Sequence, residues 1–89
     1  MTIKPLFDLG QTLATPGALK ALEVNSIDYS TLLNRHITGD WGEEDKQAND
    51  NALKHDNRLF SAYIVNGVKF WVITESDRSV TTILLPEEY

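Results

Sequence analysis

The side chains with most capacity for chemistry fall in two short stretches. Glu75, Asp77, Arg78 and Ser79 crowd two carboxylates, a guanidinium and a hydroxyl into one turn. That set could bind a polar ligand, or do acid–base work if a carboxylate pKa were displaced. The same residues also suit plain turn chemistry. Asp and Ser close turns through side-chain bonds to the backbone, and Arg78 can pair with a neighbouring acid. A hairpin tip is exposed, and exposed carboxylates titrate normally, which favours the turn reading. The second stretch is Gly39-Asp40-Trp41-Gly42. A Trp held between glycines can be an exposed anchor for a partner, since Trp is enriched at binding hot spots. It can equally fold down to cap the core while Asp40 satisfies loop amides, and the usual burial of Trp favours that arrangement.

Other candidates are thinner. His36 and Asp40 have a spacing that could share a metal, but two ligands do not make a site. His55 is remote in sequence, and Asp45, Asp50 and Asp56 lack the ladder and central Gly of a calcium loop. No metal site is expected. No nucleophile elbow, phosphate loop or dinucleotide fingerprint occurs, so no catalytic set and no cofactor is implied. The chain contains no Cys, which removes thiol chemistry, disulfides and Cys–zinc sites and suits a cytoplasmic protein.

The elements that must position these residues are clearest at the C-terminal end. Segments 58–65 and 68–75 are rich in aromatic and β-branched residues and flank Asn66-Gly67, the strongest short hairpin signal. A four-residue turn, Ser76-Asp77-Arg78-Ser79, leads to 80–85, and Pro86 ends the pairing. The predicted product is a three-stranded antiparallel meander with Val65 opposite Val68, Tyr63 opposite Phe70 and Glu75 opposite Val80. One face then carries Leu59, Tyr63, Val65, Val68, Phe70, Val72, Ile83 and Leu85. The other carries Phe60, Ala62, Ile64, Trp71, Ile73, Val80 and Leu84, with Lys69 and Glu75 near the ends. Half-buried antiparallel strands normally alternate apolar and polar residues. Here both faces are apolar, so the rest of the chain must cover one, and a further layer or a partner the other.

Upstream, Leu6-Phe7-Asp8-Leu9 reads as a short strand and Gln11-Thr12-Leu13-Ala14 as a second extended piece after a bend at Gly10. Thr15 and Pro16 suit the N-cap and first position of a short helix, with Ala18, Leu19 and Leu22 inward and Asn25 as its stop. Ser26 or Asp28 caps a second helix to about His36, whose Tyr29, Leu32, Leu33 and His36 or Ile37 share one face. A third helix covers about 43–54, acidic in its first turn and basic in its last. Its apolar stripe of Ala48, Ala52 and Leu53 is thin, so it should lie largely in solvent.

Eighty-nine residues make one small globular domain, 1–89, of α+β class, with helices on one face of the meander. The net charge of −5 and pI near 4.8 argue against direct nucleic-acid binding, which needs a basic face. They permit a basic partner, including a nucleic-acid-binding protein. The N-terminal residues lack the apolar core of a signal peptide, and no run reaches the length of a membrane span.

Several of these residues also carry a resemblance. Gly39-Asp40-Trp41-Gly42, then Asp45 and Asn49, then Leu59-Phe60-Ser61-Ala62-Tyr63 form its first part. Trp71 through Thr74-Glu75, Asp77-Arg78-Ser79, Thr81-Thr82 and Leu84-Leu85-Pro86-Glu87-Glu88-Tyr89 form its second. With Leu13-Ala14-Thr15-Pro16-Gly17-Ala18-Leu19, these resemble a group of small bacterial proteins carried on phages, plasmids and integrated elements. The segment after Gly42 is shorter here than in that group. Some members are labelled as modification subunits of type I restriction enzymes. Such a subunit needs a cofactor-binding α/β domain of a few hundred residues and an Asn/Asp-Pro-Pro-Tyr/Phe motif, and this chain has neither. The resemblance implies no activity, only gene neighbourhoods that involve defence systems.

The expected function is therefore non-enzymatic protein–protein interaction for a mobile element, modulating a host or defence protein. The contact surface would be the second sheet face, or Asp40 and Trp41 beside Glu75, Asp77, Arg78 and Ser79. A homodimer through the second sheet face is compatible with this. The alternative is a small enzyme or ligand-binding domain using Asp40, Glu75, Asp77 and Arg78, which requires the two loops to converge on one concave site.

Overall fold

Asn66 and Gly67 take φ of 51° and 77°, the successive left-handed pair that a type I′ turn demands. They join two strands, Leu59–Val65 and Val68–Thr74, in a computed structural model that describes residues 5–89. The reading of the N-terminus as lacking a leader rests partly on residues 1–4, which lie outside that range. Val65 pairs with Val68 and Tyr63 with Phe70, the register expected from a two-residue loop. Past the second turn, Val80–Leu84 pairs antiparallel with Val68–Thr74, Thr74 opposite Thr81. The Glu75 N–H donates to the Val80 carbonyl at 2.9 Å, so these two residues also meet as expected.

The three-stranded meander is nonetheless one strand short. Gln11–Ala14 (β1) lies parallel to Val80–Leu84 (β4), beyond Val68–Thr74 (β3) and Leu59–Val65 (β2). The sheet is mixed and four-stranded in the order β1-β4-β3-β2. Gly10 makes this approach possible. Its φ is +64°, and a Cβ there would sit 2.2 Å from the Ser79 carbonyl oxygen, so only a bare backbone fits against the turn. The N–H groups of Gln11 and Thr15 donate to the Ser79 and Ile83 carbonyls at 2.8 and 3.0 Å. Residues 6–9 are irregular rather than a strand; the Leu6 N–H donates to the Ile37 carbonyl at 2.8 Å.

The helices are Pro16–Val24 (α1), Tyr29–Ile37 (α2) and Glu43–His55 (α3). Thr15 caps α1 with Pro16 at its first position. For α2 the cap is Asp28, whose carboxylate accepts the Ser30 N–H at 3.0 Å. That bond, aided by the Ser30 hydroxyl, holds the Asp28 carboxyl below its usual pKa. Ala18 and Leu22 of α1 and Leu32 and Leu33 of α2 pack on Tyr63, Phe70, Val72 and Ile83. Each buried Leu, Ile or Phe contributes about 1.5–3 kcal/mol. Leu19 and Tyr29, inward by spacing, are 50% and 55% exposed.

The third helix lies along the outer edge of β2 and is largely exposed, as its thin stripe implied. Its contact is polar. Asn49, only 2% exposed, donates from Nδ2 to the Phe60 carbonyl at 2.6 Å and accepts the Phe60 N–H at 3.0 Å on Oδ1. The side-chain amide thus imitates a neighbouring strand and seals an edge that would otherwise recruit other chains. Asn49→Ala removes both bonds and should lower the unfolding free energy by about 2 kcal/mol. Urea titration measures this, and an unchanged midpoint would show that Asn49 does not hold the edge.

Candidate functional site

The most concentrated polar chemistry lies inside the protein. His36, on α2, is fully buried. Its Nδ1 meets the Ser61 hydroxyl, and its Nε2 meets the Thr74 Oγ1 at 2.9 Å. Thr74 Oγ1 lies 2.7 Å from Thr81 Oγ1, and the Thr81 hydroxyl donates to the Leu9 carbonyl at 2.7 Å. This order fixes every proton. With its hydrogen on Leu9, Thr81 must accept from Thr74, and Thr74 must then accept from His36 Nε2–H. His36 is therefore the neutral Nε2–H tautomer, and Ser61 donates to its Nδ1. Phe7 stands edge-on to the imidazole, ring centres 5.1 Å apart. Burial pushes the imidazole pKa down to about 4. A Ser–His pair so enclosed has no room for a substrate.

The Gly39-Asp40-Trp41-Gly42 loop ends α2. Gly39 takes φ +85°, and the Asp40 N–H returns to the Arg35 carbonyl at 2.9 Å, closing a Schellman-type stop. Trp41 is folded down, its indole Nε1–H donating 3.0 Å to the His36 carbonyl. The Asp40 carboxylate meets Arg35 Nε at 2.7 Å, and the Asp40 carbonyl accepts the Tyr63 hydroxyl at 2.9 Å. Arg35 also lies over the Tyr63 ring, 4.3 Å from its centre.

The 76–79 turn is built differently from the expected acid–Arg pair. Arg78 takes φ 61°, and its guanidinium donates to backbone carbonyls: Asn57 at 2.7 Å, Ser76 at 3.1 Å, and Glu75 and Ala52 at 3.2 Å. It thereby ties the turn to the C-terminal end of α3. Asp77 accepts the Ser79 N–H at 3.0 Å and its hydroxyl at 2.6 Å. The Ser79 hydroxyl, then its N–H, lowers the Asp77 carboxyl pKa. Glu75 pairs with Arg58, Oε1 to Nε at 3.4 Å.

The two stretches are not brought together. Asp40 is anchored at Tyr63, opposite Phe70, whereas the turn starts at Glu75, five residues along β3 or roughly 16 Å. The shallow groove beside Arg78 is lined by Phe7, Leu9 and Ile37, without Asp40 or Trp41. Among the described residues, no group of three or more His, Asp or Glu is placed to hold a metal ion, and no helix is long and apolar enough to cross a membrane.

The outer face of the sheet is different in kind. Phe60 and Trp71 meet edge to face at 5.1 Å, and Tyr89 meets Trp71 at 5.7 Å. The Tyr89 hydroxyl accepts from Arg58 Nη1 at 3.2 Å. With Ile73 these residues line a cleft, and Ile64 stands 69% exposed on the same face. Tyr89 reaches the cleft through a 3-10 turn, Pro86–Glu88. Glu88 accepts from the Thr15 hydroxyl and, at 2.9 Å, from the Gly17 N–H at the start of α1. The C-terminal turn is thus clamped to α1. Comparison with family models, with curated proteins and with solved structures returned no match in any of the three.

Sequence reasoning missed the His36 network, the cleft and the role of Asn49. The signal for the first was present: Ser61, Thr74 and Thr81 interrupt the inward apolar positions of three adjacent strands. The pH dependence follows from His36. Its folded-state pKa is lowered, so its stabilisation is complete above about 6.5 and is lost as pH falls towards about 4. The total is about 3 kcal/mol, of which about 2 should be lost by pH 5. Asp28, Asp77 and Glu88 have lowered pKa values, and their contributions fade only at lower pH. Urea unfolding at pH 7 and pH 5 should show this slope, and His36→Gln should flatten it; a flat wild-type profile would contradict a buried neutral imidazole.

Proposed function

We propose that the protein is a non-enzymatic interaction protein that binds another protein through the outer face of its sheet. By its resemblance to proteins of phages and plasmids, it serves a mobile element, and the partner is a host or defence protein. The observation that carries this reading is the cleft of Arg58, Phe60, Trp71, Ile73 and Tyr89, with exposed Ile64 beside it. Aromatic residues and Arg dominate the energetics of protein interfaces because they offer large, stiff contact areas with a polar handle. Supporting it from the other side, Asp77, Arg78, Ser79, Asp40 and Trp41 all make bonds that hold turns and helix ends. The net charge of −5 favours a partner with a basic rim around its apolar centre.

An enzyme or ligand site built from Asp40, Glu75, Asp77 and Arg78 needs one concave site, and the separation of the two loops weighs against it. The test is capture from native cells with the tagged wild type, Ile64→Glu and Arg58→Glu, each checked for folding by circular dichroism. One stoichiometric protein should co-purify with the wild type and be reduced at least tenfold with Ile64→Glu. Undiminished capture by both variants would remove the outer face as the contact surface, and capture of nothing above background would remove the interaction reading.

A further inference from the structure

The two edges of the sheet are treated oppositely. The β2 edge is sealed by Asn49, but β1 lies at the other edge with all its residues exposed. Parallel pairing with β4 engages the backbone of Gln11 and Leu13, as the bonds from Gln11 and Thr15 to Ser79 and Ile83 require. The N–H and C=O groups of Thr12 and Ala14 consequently point outward along the edge. Shortness is the one protection this edge has, for Gln11–Ala14 spans four residues and contains no charge, no Pro and no bulge. Beside the edge runs a groove of about 180 Å³ lined by Thr12, Leu13, Ala14, Leu19, Leu22 and Tyr29. Leu13, Leu19 and Tyr29 are 45%, 50% and 55% exposed.

We infer that the occupant of this edge is a second copy of the chain, pairing β1 antiparallel to β1 about a two-fold axis. Charge selects this occupant. A chain of net charge −5 repels its own copies wherever acidic surfaces meet, and attracts a basic partner there instead. The residues lining the β1 groove carry no charge, so two copies can meet there without repulsion. Closure follows from the other edge. Because α3 lies along β2 and Asn49 occupies the Phe60 backbone, β1 is kept from joining β2 of the next molecule into an open fibre, and the closed β1–β1 contact is favoured. The register is also set. Thr12 of each copy exchanges both backbone bonds with Ala14 of the other, and the two Leu13 side chains face each other across the axis. The result is one continuous sheet through both subunits. It leaves the outer-face cleft free and stands independently of the partner reading.

Cross-linking tests this directly, because the chain has no Cys of its own. In the inferred register the two Leu13 residues form a non-hydrogen-bonded pair with Cα atoms about 4.5 Å apart, inside the range a disulfide spans. Leu13→Cys should therefore form a covalent dimer on mild oxidation. Ile64→Cys, on the outer face of β2 and about 14 Å across the sheet from β1, should not. Sedimentation equilibrium of the unmodified chain should give twice the 10.0 kDa monomer mass. Leu13→Lys should reduce association at least tenfold with the fold retained by circular dichroism. A monomeric wild type at all concentrations overturns the inference, as does cross-linking through Ile64→Cys in preference to Leu13→Cys. If Leu13→Lys does not fold, the cysteine pair and the wild-type mass decide.

Discussion

A buried imidazole must be neutral and bonded at both nitrogens, and the architecture depends on that condition at His36. One side chain from α2 reaches the sheet and is met there by Ser61 of β2 and Thr74 of β3, with Thr81 of β4 and the Leu9 carbonyl completing the line. Leaving any one of these groups unpaired costs about 1–3 kcal/mol in the interior. The network therefore specifies how α2 lies on the sheet more sharply than apolar packing does, since Leu32 and Leu33 could slide where directional bonds cannot. Trp41 reinforces the same point from outside, closing the His36 carbonyl with its indole N–H.

What the sequence disclosed follows the range of the interactions. The hairpin register was legible because Asn66-Gly67 forces a two-residue turn, and local backbone sterics settle the rest. Thr15 and Asp28 were legible as caps, and the folded-down Trp41 as the ordinary arrangement of a Trp between glycines. The fourth strand was not. Gln11–Ala14 has little alternation, and its place depends on Gly10 passing the Ser79 carbonyl, a contact between residues far apart in sequence. Arg78 was read as the partner of an acid, yet its left-handed backbone and the nearby end of α3 direct it to carbonyls. Of the expected site residues, Asp40 and Trp41 lie at one place and Glu75, Asp77, Arg78 and Ser79 at another; only the tertiary fold could decide that.

The two surfaces that remain open differ in chemistry. The outer face offers aromatic rings and a guanidinium, a composition suited to a protein partner. The β1 edge offers unpaired backbone and an uncharged apolar groove, suited to a strand of the same chain. Asn49 bonds the β2 edge and Glu88 clamps the C-terminal turn to α1, which leaves these two faces as the apolar surfaces open to a partner strand or protein.

The state of the His36 ring tests that account most directly. Long-range proton–nitrogen correlation spectra, recorded from pH 7.5 down to pH 5, report which imidazole nitrogen carries the proton and whether a second arrives. The ring should be neutral and protonated on Nε2, with only a slight change in shift by pH 5. A ring that titrates near the ordinary pKa of about 6.5, or one protonated on Nδ1, would contradict the proton order running from Ser61 to Leu9, and with it the claim that this network holds α2 to the sheet.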